Sequence, residues 1–331
     1  MAAIVARMAA SGRDFVRTAI MIGFVAFLAA CAPPVVPDSA EACRVERITQ
    51  VPLVPPDPPR TTRWAVEVAL DGKPATMMLD SGATSLVIDR DVAARLGLRQ
   101  RPELQATSFG LGGAVYRRVF EADSIGIGAQ TTRLPTLVIE MTAAQEAGKG
   151  FDGIVGMAAF QQNDIEIDFP ARTLTLYRAR FCPSGAPPWS GRQVALRRST
   201  SARHSRTSLP TVLVDLDGKR AHALLDTGAT TTAVDRVFAR AAGAPADPPE
   251  GARRGTARTM SETSLPMWQH RFGQMHIGDV RVSDPALWLI DLGMVADMIV
   301  GLDVLSRMRI WISNGSDAVY IGQAAGAPAR P

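Results

Sequence analysis

The sequence predicts an all-β protein built as two similar lobes with a few short helices. Three observations carry that expectation: a long-period internal repeat, short alternating segments bounded by turn residues, and a length suited to two cores. The chain has 331 residues, where an ordinary domain has about 100–200. Apolar residues make up 47% and charged residues 21%, a globular rather than a disordered composition. The repeat is read from a constant offset. Asp71-Gly72-Lys73 recurs as Asp217-Gly218-Lys219, Asp80-Ser81-Gly82-Ala83-Thr84 as Asp226-Thr227-Gly228-Ala229-Thr230, and Asp89-Arg90 with Gly97 as Asp235-Arg236 with Gly243, all at an offset of 146. Downstream, Asp152 with Ile154-Val155-Gly156 returns as Asp297 with Ile299-Val300-Gly301 at an offset of 145. A unit of roughly 140 residues is too long for a solenoid repeat, so two whole lobes are expected.

The first element is an address. Residues 18–30 form a 13-residue apolar run behind Arg7, Arg13 and Arg17, which is the pattern of a secretory signal and is shorter than the ~20 residues a membrane-spanning helix needs. The run ends in Leu28-Ala29-Ala30-Cys31, which resembles the bacterial lipoprotein box. That resemblance implies a signal peptide over 1–30, lipidation of Cys31 as the new first residue and, from Ala32, the periplasmic face of the outer membrane. Ordinary secretion with cleavage nearby is the alternative. Residues 32–60 hold eight prolines and little periodicity, so a flexible Pro-rich tether is expected over 31–45 and on to about 60. With Cys31 lipidated, Cys43 and Cys182 are left as a pair in an oxidising compartment, which invites a disulfide tying the ends of the first lobe together. Two separate buried thiols are the other possibility.

Each repeat unit has the same order. Trp64–Leu70 alternates as a strand, Asp71-Gly72 is a strong hairpin signal, and Lys73–Leu79 returns as a second strand ending at Asp80. In the second unit the frame is Thr211–Leu216, Asp217-Gly218, and a strand ending at Asp226. A short helix should follow each motif, capped by Asp89 or Asp91 and closed by Gly97 in one unit, and bounded by Asp235 and Gly243 in the other. Strands such as IEIDF, TLTLY, RIWIS and AVYI complete the lobes, expected over 46–181 and 209–322, with a linker over 182–208 and a disordered tail over 323–331.

The chemistry concentrates in the two Asp-Ser/Thr-Gly turns. One such turn is commonplace. Two of them, at matching places in duplicated units, can bring two carboxylates within hydrogen-bonding range, where the pair holds one proton. One carboxylate then serves as base and the other as acid. Gly82 and Gly228 allow tight turns close to the opposite loop, and the Ser81 and Thr227 hydroxyls can bond across to fix the spacing.

At these residues the chain resembles the aspartic proteases, and within them the retropepsin-like branch. The apolar-apolar-Asp-Ser/Thr-Gly-Ala string and the later Ile-Val-Gly string are that family's two signatures, and the resemblance spans residues 46–322 twice over. It implies a bilobal, pepsin-like organisation of two retropepsin-like β-barrel lobes with the catalytic cleft between them. It also implies an Asp80–Asp226 catalytic dyad, hydrolysis of a polypeptide bound as an added strand, and no cofactor. A mobile flap is expected on the first lobe at Phe109, Gly110, Gly112, Gly113 and Tyr116, since the matching stretch from Gly255 lacks the double glycine. Ala83 and Ala229 stand where pepsin-like relatives often carry a hydroxyl. Their lack of one should leave the dyad's pKa values higher and suit it to mildly acidic to neutral pH.

Other signals are quiet. Net charge is +4, and beyond residue 30 there remain 33 basic against 31 acidic residues, too even for a nucleic-acid surface. His204, His222, His270 and His276 have no metal-ligand spacing. Gly110-Leu111-Gly112-Gly113 lacks the Lys-Ser/Thr of a phosphate loop. Asp152 and Asp297 read as turn or cap residues. Three readings remain: a monomeric membrane-anchored aspartic endopeptidase, a catalytically silent peptide-binding lipoprotein using the same cleft, and a swapped dimer with an Asp80–Asp80 pair.

Overall fold

In the computed structural model the described residues are 43–55, 63–141, 150–182, 184–189, 193–198, 209–259, 263–293 and 296–323, and they belong to one compact unit. The signal segment, Cys31, most of the tether, most of the linker and residues 324–331 lie outside them.

The first half of the chain runs β1 (Arg44–Pro52), β2 (Ala65–Leu70), β3 (Lys73–Leu79), β4 (Leu86–Ile88), α1 (Arg90–Leu96), β5 (Arg99–Gly110), β6 (Gly113–Ala122), β7 (Ile125–Ile127), β8 (Gln130–Thr132) and β9 (Thr136–Glu140). It continues with β10 (Gly153–Val155), a 3₁₀ turn (Met157–Phe160), β11 (Asp164–Asp168), β12 (Thr173–Arg180) and β13 (Gln193–Arg197). The second half runs β14 (Thr211–Leu216), β15 (Lys219–Leu225), β16 (Ala233–Asp235), α2 (Arg236–Ala241), β17 (Arg254–Arg258), β18 (Ser264–Arg271), β19 (Gln274–Ile277), β20 (Val280–Ser283) and β21 (Ala286–Ile290). It closes with β22 (Met298–Val300), α3 (Leu302–Leu305), β23 (Met308–Ile312) and β24 (Ala318–Gln323).

The duplication is complete at the level of topology. One nine-stranded sheet has the order β5-β6-β9-β4-β10-β3-β2-β7-β8 and the other β17-β18-β21-β16-β22-β15-β14-β19-β20, so each strand has its counterpart in the same place. Sequence dictates the local turns. Asp71 and Gly72 lie at φ 50° and 76°, Asp217 and Gly218 at 47° and 78°, the left-handed pair that a two-residue type I′ hairpin requires and that Asp-Gly tolerates best. Asp89 caps α1 by accepting from the Asp91 and Val92 N–H groups, and Asp235 caps α2 by accepting from Val237 and Phe238. Gly97, at φ 68°, ends α1.

A third sheet, β1-β12-β11-β23-β24-β13, takes three strands from each repeat unit, β1, β11 and β12 from the first and β13, β23 and β24 from the second. Its centre is the antiparallel pair β11–β23, with Glu166 opposite Trp311 and Asp168 opposite Arg309. Two segments read as connectors are part of it. Residues 44–52, where the expected tether overlaps the start of the first lobe, form β1 along β12, and Gln193–Arg197, within the expected linker, form β13 along β24. Pro52 closes the strand end at the sheet edge, where a missing N–H costs no ladder bond. Glu166 is buried, and its carboxylate accepts from Tyr177 Oη at 2.9 Å, Trp189 Nε1 at 3.0 Å and Arg309 Nε at 2.7 Å. A buried charge so fully bonded is tolerated, and losing one partner would leave it uncompensated.

Cys43 and Cys182 are disulfide-bonded, just beyond the Arg44–Arg180 pair that ends the β1–β12 ladder. The bond closes a loop with a sequence separation of 139, long enough to restrict the unfolded chain substantially. Cys182→Ser is therefore expected to lower unfolding free energy by about 2–5 kcal/mol, read by denaturant titration under oxidising conditions. Adding reductant to the parent protein should reproduce most of the loss.

Candidate active site

Each aspartate stands where a buried strand runs out. β3 ends at Leu79 and β15 at Leu225, and both lie parallel to the strand carrying the Ile-Val-Gly signature of the same lobe, with Leu79 opposite Val155 and Leu225 opposite Val300. The Asp80 N–H donates to the Val155 carbonyl at 3.1 Å and the Asp226 N–H to Val300 at 2.9 Å. Gly156 and Gly301 then press against the loops beyond. A Cβ at Gly156 would lie 2.6 Å from the Ala83 carbonyl oxygen, and one at Gly301 2.6 Å from the Thr231 carbonyl carbon. The two signatures are thus halves of one loop support.

Four hydrogen bonds cross between the lobes directly beneath the aspartates. The Ser81 N–H donates to Thr227 Oγ1 at 2.9 Å and the Thr227 N–H to Ser81 Oγ at 3.0 Å. The hydroxyls pass their own protons on, Ser81 Oγ to the Leu225 carbonyl at 2.6 Å and Thr227 Oγ1 to the Leu79 carbonyl at 2.8 Å. Both side chains are 2% exposed. Above them each glycine backs the opposite carboxylate: a Cβ at Gly82 would sit 2.5 Å from the Asp226 carboxyl carbon, and one at Gly228 2.5 Å from that of Asp80. Only a hydrogen fits there.

Burial raises both carboxyl pKa values. Asp80 is pushed well above the ordinary carboxylate range by desolvation first, then by the charge of Asp226 and by the hydrogen bond it makes to it. Asp226 is raised by desolvation too, and the bond from Asp80 pulls it back. The backbone breaks the tie. Asp226 Oδ1 accepts from the Gly228 N–H at 2.8 Å and the Ala229 N–H at 3.1 Å, while Asp80 Oδ1 accepts from Gly82 at 2.9 Å. More donors favour the ionised form, so the backbone favours the charge on Asp226 and the shared proton on Asp80.

An aspartyl protease family model matches the chain twice, over residues 66–159 and 212–304. The chain belongs to the aspartyl protease family. A search of curated proteins finds no match. Both matched stretches contain the Asp-Ser/Thr-Gly turn, its supporting Ile-Val-Gly strand and the helix between them.

The expected flap is the β5–β6 hairpin, whose tip pairs Ser108 with Val115, Phe109 with Ala114 and Gly110 with Gly113 around Leu111-Gly112. Gly112 and Gly113 have φ of 89° and 103°, and Tyr116 is 70% exposed. The second lobe also raises a hairpin there, with shorter strands, pairing Arg254–Arg258 with Ser264–Trp268.

Asp152 and Asp297 play matching parts in the two lobes. Their carboxylates accept from the Thr76 and His222 N–H groups, each at 2.9 Å, and their carbonyls from the capping residues Asp89 and Asp235. Sequence reasoning passed over Arg63 altogether. Its Nε donates to the Gly228 carbonyl at 2.6 Å across a sequence separation of 165, and its charge lowers the pKa of both aspartates. The only sequence signal was asymmetry, since position 209 of the second unit is Leu.

Two outcomes follow. Gly82→Ala or Gly228→Ala should break the paired seat, because the new methyl would drive into the opposite carboxylate, and should abolish peptide cleavage where the parent protein shows it. Thr227→Ala should cost about 1–3 kcal/mol for each buried group it orphans, the Ser81 N–H and the Leu79 carbonyl, measured by urea unfolding. The dyad also sets a pH trend. Its folded pKa values lie above those of the unfolded chain, so its contribution to stability is greatest at low pH and falls as pH rises from about 4 through the folded values. Asp80→Asn removes the group that must ionise, and its unfolding free energy should fall less over that window than that of the parent.

Proposed function

We propose that the protein is an aspartic endopeptidase in which Asp80 and Asp226 of one chain form the catalytic dyad. The observation that carries this reading is the reciprocal seat: each carboxylate rests on the glycine of the other lobe, with the hydroxyls below bonded across. A binding cleft has no need of two buried carboxylates held together at the cost of raising their pKa values, whereas acid–base hydrolysis requires it.

The roles follow from the unequal donors. Asp226, ionised, takes a proton from water as it attacks the scissile carbonyl carbon. Asp80, protonated, gives its proton to the carbonyl oxygen. The tetrahedral diol then collapses: Asp226 passes its proton to the departing amide nitrogen, Asp80 recovers one from a hydroxyl, and the C–N bond breaks. No covalent intermediate forms, and the dyad ends as it began. Ala83 and Ala229 bring methyl groups to the loops, leaving the oxygens with backbone donors as partners. This supports an optimum at mildly acidic to neutral pH.

The substrate class in this reading is an extended polypeptide of the bacterial envelope, bonded along its main chain as an added strand, with the β5–β6 hairpin closing over it. The envelope rests on the signal-like run and Cys31, through which the protein would be a lipid-anchored, periplasm-facing monomer, with no nucleic-acid partner and no cofactor or metal.

The deciding experiment is digestion of a peptide library by the chain from Ala32 onward, from about pH 3 to about pH 8, a range that brackets single and coupled carboxylates. Cleavage is expected, with Asp80→Asn and Asp226→Asn each lowering kcat by at least about 100-fold. A folded protein that cuts nothing at any pH would instead favour a cleft that only binds peptides. Cleavage surviving in Asp226→Asn would point to a dyad assembled from two chains.

A further inference from the structure

The two aspartate loops are near copies, yet among the described residues a cation from the first lobe, Arg63, reaches the second loop without a counterpart at the matching place in the other unit. Arg63 precedes β2, half-buried, and reaches the other lobe: its Nε donates to the Gly228 carbonyl at 2.6 Å. Gly228 is the residue on which both carboxylates converge. Its N–H donates to Asp226 at 2.8 Å, and its Cα backs Asp80 so closely that a Cβ would lie 2.6–2.7 Å from the two carboxylate oxygens. One residue therefore separates the guanidinium from both members of the pair. At the matching place in the second unit stands Leu209, an apolar side chain packed on the core. Among the described residues, the leading charged influences on the dyad are the two aspartates themselves and Arg63, joined by the neutral N–H donors of Gly82, Gly228 and Ala229.

We propose that Arg63 is the positioning residue of the dyad: gripping the Gly228 carbonyl across the lobe interface, it fixes the loop that carries Asp226 and holds the pair in its singly ionised form down to lower pH. The inference rests on the reading of Asp80 and Asp226 as the reacting pair. The physical need is plain. Desolvation pushes both carboxyls upward, and the charge of Asp226 pushes Asp80 further, so a buried pair left alone would remain doubly protonated, without a base, well into the acidic range. A cation on the shared glycine opposes this for both members, in agreement with the downward pull of Arg63 on each. Arginine suits the place because its planar fork can hold a carbonyl at a fixed angle while keeping its charge at every working pH.

The test reads the dyad directly. The full chain, purified in detergent and labelled with 13C at the aspartate carboxyls, is titrated by NMR, with Asp80→Asn and Asp226→Asn spectra assigning the two signals. Arg63→Leu, which copies the residue of the other lobe, and Arg63→Gln should each move both dyad steps up by about one pH unit. Arg63→Lys keeps the charge but not the Nε–H placement, and should shift them less in the same direction. Where the parent protein cleaves peptide, both limbs of its pH–rate profile should move up by the same amount; a merely structural loss would lower the rate and leave the limbs in place. Unchanged titration steps in a folded neutral variant overturn the proposal. If neither neutral variant folds, Arg63→Lys decides, and steps identical to the parent's overturn it. A parent protein that cleaves nothing while the steps still move with Arg63 sinks the protease reading and leaves the role of Arg63 standing.

Discussion

Everything at the site depends on the four bonds that Ser81 and Thr227 make across the lobe interface. A hydroxyl offers one donor and two acceptor positions, and here each accepts from the opposite backbone N–H while donating to the carbonyl of the residue that precedes the opposite aspartate. The two loops are therefore mutually defined, since neither can move without orphaning buried groups in both. A longer side chain could not replace them at this spacing, and an apolar one would leave two N–H groups and two carbonyls unpaired in a dry interface. The adjacent carboxylates inherit this precision. Their separation is set by these neighbours as well as by the bond between them, which lets two carboxyl groups be held together despite the electrostatic cost of ionising both.

The six-stranded sheet provides the stiffness that such an interface needs. The two β11–β23 partners sit on the local two-fold of the duplicated chain, where Glu166 faces Trp311, its own counterpart at an offset of 145. Two identical chains would have to place the same residue at both positions. Two buried glutamates side by side would repel, and two tryptophans would forgo the ion pair. Within one chain the duplicated halves have diverged, and the carboxylate gathers Tyr177, Trp189 and Arg309 from three segments. The disulfide secures the β1 end of the same sheet, and β13 flanks the other, so both edges come from segments that precede a lobe.

Much of this was legible in the sequence because it is local or periodic. The Asp-Gly turns, the Asp89 and Asp235 caps and the strand endings at Asp80 and Asp226 each depend on a few consecutive residues, and the constant offset carried them from one lobe to the other. The repeat also foretold the cross-lobe hydroxyl bonds, because two copies of one loop must meet as near-equals. What escaped was non-local or unrepeated. β1 was hidden in a proline-rich stretch because its partner, β12, lies more than a hundred residues away. β13 was hidden in an Arg/Ser-rich linker for the same reason. Glu166 and Arg63 have no counterpart of their own kind in the other unit, so a method that looks for matching residues passes over them.

That blind spot has a physical meaning. A dyad made by two identical chains must be electrostatically symmetric until substrate arrives, and either aspartate can carry the proton. In this chain the symmetry is broken beforehand. Asp226 has two backbone donors on one oxygen against one for Asp80, and a cation from the first lobe lies on the glycine between them. Fusing the halves therefore does more than secure their association. It frees residues around the dyad to differ, so that in the proposed hydrolysis the roles of acid and base can be assigned by the protein and need not be decided by the substrate. Residues shared by both lobes build the site, and residues found in only one give it direction.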